Sequence, residues 1–423
     1  MRRLLCAALT LPLLACDDAE PTPAPVPLQF IEMPASAAAA GAVTAELIGP
    51  PGATVTVAVT RGGGAVDQAQ VVLAASGHGF LQWTLGPAPV DQALTATVAD
   101  DPQNTAEHRL RATLDTPWAP EAFGQVNEWL MANGLDESTE DLSFRGDELL
   151  MGVPGGVVRV TPSGEVEALS LSGEAVTRIW GFAVAADGTL WAVDAGNSRM
   201  VAISPDGAVR EALTTDGDQP LVGPNYVMVG ADGRIYLSDP CLGEIIRLDP
   251  ATGETAVHRF DLPTEGGPNG MALGPDGAMY VATENTGLLC NQPDITIDAE
   301  IAGVYRLDLT DFTTRTPVVE GVALFGDGLA FDAEGNLYVV LDTQENFQLK
   351  ESAVKVIPAG TTELLPFVVA GEKQLIANVA FGTDTYGATT LYMGMLHIPP
   401  FTTKASRGLT RVPVGIAGQP LLP

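Results

Sequence analysis

Basic residues are scarce in this chain: 4 lysines and 17 arginines stand against 52 acidic residues, for a formal net charge of −31. A surface this acidic repels polyanions. It argues against nucleic acid partners and against charge-driven binding to anionic lipid, and it favours solubility and cations. Histidines number only 4. His78 and His108 stand alone and read as surface or packing residues, there is no Gly-x-Ser-x-Gly, and no Ser-His-Asp set can be assembled. Beyond the first residues no apolar run reaches the length of a membrane-spanning helix. There are also only 4 cysteines, and two of them, Cys6 and Cys16, fall in the first stretch of the chain. The remaining pair, Cys241 and Cys290, is more consistent with a disulfide than with a metal site, because two lone thiols make a poor ligand set.

What the chain does have is a repeat. Residues 264 to 282 read TEGGPNGMALGPDGAMYVA, two short strands around a Pro275-Asp276-Gly277 turn. The unit recurs as WGFAVAADGTLWA from 180, NYVMVGADGRIYL from 225 and DGLAFDAEGNLYV from 327. A shorter-turned copy starts at Glu140 and a longer-turned one at Ala377. The large residue of the second strand falls at Leu150, Trp191, Tyr236, Tyr280, Tyr338 and Tyr392, at spacings of 41, 45, 44, 58 and 54 residues. A period of 40 to 45 residues with about four strands per repeat is that of a β-propeller blade. The chain is therefore expected to be all-β, with a six-bladed β-propeller over residues 138–423.

The N-terminal third differs. Residues 1–16, MRRLLCAALTLPLLAC, combine a basic start with a short apolar core, as a secretion signal does. Leu13-Leu14-Ala15-Cys16 resembles the lipobox of bacterial lipoproteins, which implies acylation of Cys16 and a lipid-anchored place in the bacterial cell envelope, periplasmic or at the cell surface. Residues 17–27 form a Pro-rich tether. Alternation such as Val55, Val57 and Val59 then predicts about six strands over residues 28–115, a small Ig-like β-sandwich. Gln82 to Pro87 and Gln92 to Val98 resemble the end of bacterial immunoglobulin-like repeats, without the antibody-type cysteine pair. This region carries no visible chemistry and is expected to act as a spacer or in adhesion. Residues 116–137 link the two parts, with Phe123 to Leu130 a candidate strand for closing the propeller ring.

The site follows from register. Counting back 11 residues from the second-strand aromatic gives Trp180, Asn225, Asn269 and Asp327, and the flanking copies add Glu140 and Ala377. First strands line a propeller's channel, so these positions converge at one mouth. Four of the six carry side-chain oxygens, and hard cations such as Ca²⁺ bind carboxylate and amide oxygens. Paired carboxylates without a cation would repel each other. The ends of the second strands, at Asp194, Asp239, Glu284, Asp342 and His397, return to the same mouth. So do three insertions near 285–301, 343–353 and 397–407, which would wall a pocket. Cys241 and Cys290 sit on neighbouring loops there, and a Cys241–Cys290 bridge is expected.

Pro268-Asn269-Gly270-Met271-Ala272-Leu273-Gly274-Pro275-Asp276-Gly277, Asp327-Gly328-Leu329-Ala330-Phe331-Asp332 and Asn378-Val379-Ala380-Phe381-Gly382 resemble the gluconolactonase, senescence-marker-protein and luciferin-regenerating-enzyme family. The resemblance runs from about 138 to 415. It implies a six-bladed propeller holding a divalent cation, most often Ca²⁺, and hydrolysis of lactones or related esters. By position, Glu140, Asn269 and Asp327 match the family's metal ligands and Asn225 its substrate-side Asn. Asp327 would also be the general base, and Trp180 a stacking wall for the substrate or a plug. The chain departs from the family at Asn225-Tyr226 and Glu140-Asp141, and the family's substrate-contacting Arg has no evident counterpart. Blade two also resembles NHL-type repeats around Asp194 to Arg199. The expectation is an envelope-anchored, metal-dependent lactone or ester hydrolase. The alternative is a non-catalytic, cation-stabilised propeller that binds a ligand or an envelope protein partner.

Overall fold

In the computed structural model of the chain, the described residues are 26–135, 140–290, 296, 300–345, 348–399 and 402–420. Residues 1–25, with the expected secretion signal, Cys16 and most of the expected tether, lie outside them, as do parts of the three insertions. Among the described residues no helix is long and apolar enough to cross a membrane.

The first region pairs two sheets. One holds Gln29–Ile31, Ala42–Ile48, His78–Leu85 and Gly64–Val66; the other holds Ser36–Ala38, Asp101–Thr113, Asp91–Val98, Thr54–Arg61 and Gln70–Val72. Every second residue points inward, so Ala45, Leu47, Val55, Val57, Leu81, Trp83 and Leu94 form one core between the sheets. Nine strands form here where about six were expected. The additional ones are mostly three residues long, too short to show alternation.

From residue 140 onward the chain forms successive antiparallel four-stranded units. The first is Leu142–Arg145, Glu148–Val153, Gly156–Val160 and Val166–Ala168. The second is Ile179–Val184, Leu190–Asp194, Arg199–Ile203 and Ala208–Leu213, and the third Val227–Val229, Ile235–Asp239, Glu244–Leu248 and Thr255–Arg259. The fourth, Gly267–Leu273, Met279–Glu284, Ala302–Leu307 and Arg315–Ala323, joins the fifth through one pairing of Glu284 with Phe325. The fifth is Phe325–Phe331, Leu337–Glu345, Gln348–Ile357 and Leu365–Val369. The sixth is Leu375–Phe381, Thr390–Leu396 and Gly408–Pro413, completed by Glu121–Phe123 from before the ring. The first strand of each unit lies beside the first strand of the next, and the sixth beside the first, so these strands close on themselves.

The repeated motif supplies two structural parts. At Gly188, Gly233, Gly277 and Gly335, φ is 83°, 76°, 76° and 82°, and the Asp before the first three accepts a backbone N–H two residues on. These turns lie on one face of the ring. The periodic large residues wedge neighbouring units together: Tyr338 packs edge-on against Phe367 and Phe381, and Tyr392 against Phe123 and Phe144.

One expectation is corrected. The closing strand is Glu121–Phe123, paired through Phe123 and Leu409, whereas Val126–Ala132 is an α-helix. Val126 and Leu130, four residues apart, bury one face of that helix, and Arg407 holds Asn127 Oδ1 through Nε and Nη2 at 3.1 and 2.9 Å. The first region docks on the turn face of the ring. Gly62 N donates to Glu334 Oε1 at 2.8 Å, Trp118 Nε1 donates to Pro87 O at 3.1 Å, and Arg111 pairs with Glu363 at 2.9 Å. Ala88 and Val90 enter the same core as Phe381, Val412 and Ile416.

Candidate active site

The mouth residues sit on irregularities that recur in the first strands. Pairing slips between Ile179 and Phe182, between Pro268 and Met271, and between Gly326 and Leu329, so that Trp180, Asn269 and Asp327 each lie within a β-bulge. A bulge turns one side chain out of the alternation, here toward the ring's centre. Gly follows each of the three because the next unit's backbone passes there. A Cβ on Gly181 would stand 2.3 Å from Asn225 O, and one on Gly270 would stand 2.4 Å from Asp327 O. A Cβ on Gly328 would stand 2.5 Å from Asn378 Cα. These contacts draw Asn225, Asp327 and Asn378 inward.

Glu140, Asn225, Asn269 and Asp327 are 6%, 8%, 2% and 9% exposed. Asn225 Nδ2 donates to Glu140 Oε1 at 3.2 Å, and Asn269 Nδ2 donates to Glu284 Oε2 at 3.1 Å. The Oδ1 atoms of both amides are buried and have no hydrogen-bond partner among the described residues. Burial raises the pKa of Glu140, with the Asn225 hydrogen bond and the Arg178 charge opposing. Burial also pushes Glu284 up to about 8, reinforced by Glu140. Asp327 is held well above the carboxylate range by burial and then by Glu140, Glu284, Asp342 and Asp141. Asp342 is pushed up to about 8 by burial, and one of its oxygens has no partner. Such a set of acceptors and mutually repelling carboxylates suits a hard cation. Among the described residues no three His, Cys, Asp or Glu side chains are placed to hold a metal by themselves. A cation here would therefore draw on the amide oxygens as well as on Glu140 and Asp327.

Of the residues expected at the mouth, Glu140, Asn225, Asn269 and Asp327 come together, and Ala377 contributes only packing. Trp180 is half-buried, with the Arg178 guanidinium 4.7 Å from its ring centroid. Arg178 went unnoticed in the sequence although it lies only two residues before the mouth position, just ahead of its strand. Asp141, Tyr226 and Asn378 occupy the register positions that hold Gly in the other units. Asp141 accepts N–H groups from Leu142 and Phe182, both at 2.7 Å, and so ties the first unit to the second. Tyr226 reaches toward Asp141, Asn378 and Asp327, and burial raises its pKa. At the wall, Cys241 and Cys290 form a disulfide with Cα atoms 5.3 Å apart, joining the loops that follow Asp239 and Glu284.

No family model matches the chain. Gluconolactonase from Zymomonas mobilis subsp. mobilis is 25% identical over 200 residues, which are 42% of this chain and 53% of that protein. The chain thus spans about half the length of the curated relative it matches. Among solved structures, the gluconolactonase XC5397 from Xanthomonas campestris aligns at 20% identity with a TM-score of 0.47, covering 61% of this chain and 82% of that one. A luciferin-regenerating enzyme aligns at 15% identity with a TM-score of 0.49, over 71% and 97%. These structural likenesses are too loose to bear on function. Over those 200 residues the chain is similar to gluconolactonase, the kind of protein that its repeat motifs resemble.

Proposed function

We propose that the ring is a six-bladed β-propeller, preceded by an Ig-like sandwich, and that its mouth is a Ca²⁺-dependent site for hydrolysing lactones or related esters. One observation carries the reading. Two buried amide oxygens without partners among the described residues stand among buried carboxylates that repel one another, a repulsion that the Arg178 charge offsets in part at Glu140. Glu140, Asn269 and Asp327 would hold the cation. When bound, the cation would polarise the substrate carbonyl and offset the charge that builds on its oxygen. Asp327 serves as the base, accepting a proton as the water oxygen bonds to the acyl carbon. The ring C–O bond then breaks and the leaving oxygen recovers that proton, giving a hydroxy acid. Asn225 Oδ1 is available to accept from a substrate hydroxyl, and Trp180 with Arg178 forms one wall of the approach. Anchoring to the envelope through Cys16 belongs to the same proposal and rests on the N-terminal motif alone.

The test is a panel of sugar and aliphatic lactones offered to the purified protein with Ca²⁺, with acid release followed by pH-stat. Turnover that EDTA abolishes and Ca²⁺ restores is expected. Saturable Ca²⁺ binding with no turnover on any lactone or ester would instead favour the binding-propeller alternative.

A further inference from the structure

The second strands of the second, third and fourth units end in a carboxylate, Asp194, Asp239 and Glu284, and the longer fifth carries Asp342 near the same level. The first two are loop staples. Asp194 accepts from Thr177 N at 3.0 Å and from its hydroxyl at 2.7 Å, and Asp239 accepts from Val222 N at 2.8 Å and Gly223 N at 3.0 Å. Asp342 lies near Ser352, its partner across the third strand. Glu284 differs. It stands four residues past Tyr280, whereas Asp194 and Asp239 stand three past Trp191 and Tyr236, and so it lies on the other face of its strand, where it accepts the Asn269 amide at 3.1 Å. Glu284 is 6% exposed and Asn269 2%, so the contact is buried.

An asparagine amide presents nearly the same outline when its oxygen and nitrogen exchange places, and only its partners decide which end faces the ligand. Glu284 is an acceptor and so selects the nitrogen. Asn269 Oδ1 is then left pointing away, buried and without a partner among the described residues. With its Oε2 on the Asn269 amide, Glu284 acts through Asn269. We infer that Glu284 is a positioning residue for the cation site, locking the Asn269 amide with its oxygen toward the cation. This inference rests on the cation reading of the mouth. It assigns a role to a residue that the repeat register puts at the mouth but not among the ligands.

The experiment is calorimetric Ca²⁺ titration of the whole protein and of Glu284→Gln, Glu284→Met and Asn269→Ala, with a melting curve of each in EDTA. Gln keeps an acceptor for the amide, whereas Met keeps the length and removes the acceptor. Loss of such a supporting partner typically costs about 10- to 100-fold in metal affinity. That loss is expected for Glu284→Met, with most of it recovered in Glu284→Gln. Adding Glu284→Met to Asn269→Ala should cause little further loss, because the two act as one unit. Binding by Glu284→Met within about twofold of the parent would overturn the inference while leaving the cation site standing. So would equal losses from Gln and Met, or an additive double variant. A parent protein that binds no Ca²⁺ would instead defeat the cation reading itself. If Glu284→Met does not melt cooperatively, the comparison of Glu284→Gln with Asn269→Ala decides: Gln binding as weakly as the Ala variant overturns the inference.

Discussion

The two regions are built from the same kind of strand and bury their polar groups differently. In the first, Gln92 is the only buried polar side chain among the described residues, and it is satisfied, accepting from Gly86 N at 2.8 Å and donating to Gly86 O at 3.1 Å. Otherwise its core is apolar apart from the indole nitrogen of Trp83, which is buried and lacks a partner among the described residues. The ring buries Glu140, Asp141, Asn225, Asn269, Glu284, Asp327 and Asp342 together, and three amide or carboxylate oxygens among them have no partner. Buried polar groups that fold alone can satisfy belong to architecture, as Gln92 does. Groups left unsatisfied point to something that arrives later. The contrast is therefore between one indole nitrogen in an apolar core and a cluster of acceptors at the mouth, and under the proposed function it is the cluster that a cation would complete.

The largest effect should come from the ring. Asp327→Asn keeps the shape of the site but removes the base, and should lower lactone turnover by about 10²- to 10⁴-fold. Because it also removes one of several crowded carboxylates, the variant should melt no lower than the parent in EDTA. Turnover within about threefold of the parent, measured by pH-stat, would take Asp327 out of the chemistry.

Trp83→Ala should show the opposite pattern. Trp83 is fully buried between the two sheets of the first region, and its loss should cost about 3–5 kcal/mol of that region's stability, read by chemical denaturation. Ca²⁺ affinity should be unchanged at temperatures where the ring remains folded. A large loss of affinity would mean that the two regions do not divide the work in this way.

A smaller effect concerns pH. Glu284 and Asp342 have folded pKa values near 8, above an unfolded value near 4.5 for Glu and 3.8 for Asp. The folded state therefore holds their protons more tightly than the unfolded state does. The stability linked to them is complete below the unfolded values and is lost as pH rises through about 8. In EDTA the ring should lose on the order of a few kcal/mol between about pH 5 and pH 8. Saturating Ca²⁺ should flatten the profile, whereas the first region alone should show no such slope. An EDTA profile that is flat or rises with pH would contradict this picture of the mouth.

The parts of the ring that were legible in the sequence are those that repeat. A constant offset from Trp191, Tyr236, Tyr280 and Tyr338 brings Trp180, Asn225, Asn269 and Asp327 to equivalent places, because turn and wedge chemistry must recur for units to stack. The sandwich's longer strands were legible through alternation, and its three-residue strands were not. The closing strand was misplaced for the same reason: Glu121–Phe123 is too short to carry a period, and the apolar run after it is helical. Contacts between units leave no period at all. The offset of Glu284, four residues past Tyr280 where Asp194 and Asp239 stand three past Trp191 and Tyr236, is the one trace in the repeat that it faces differently, and nothing there says that Arg178 lies over Trp180. The breaks in the x-Gly pattern, at Glu140-Asp141, Asn225-Tyr226 and Ala377-Asn378, were the available signal that a second set of side chains lines the channel.

Calorimetric titration of metal-stripped protein with Ca²⁺, for the parent and for Asp327→Ala, tests the central claim most directly. One saturable site in the parent, with affinity reduced at least about tenfold in the variant, is the predicted result. No binding in the parent, or equal affinity in the two proteins, would contradict it.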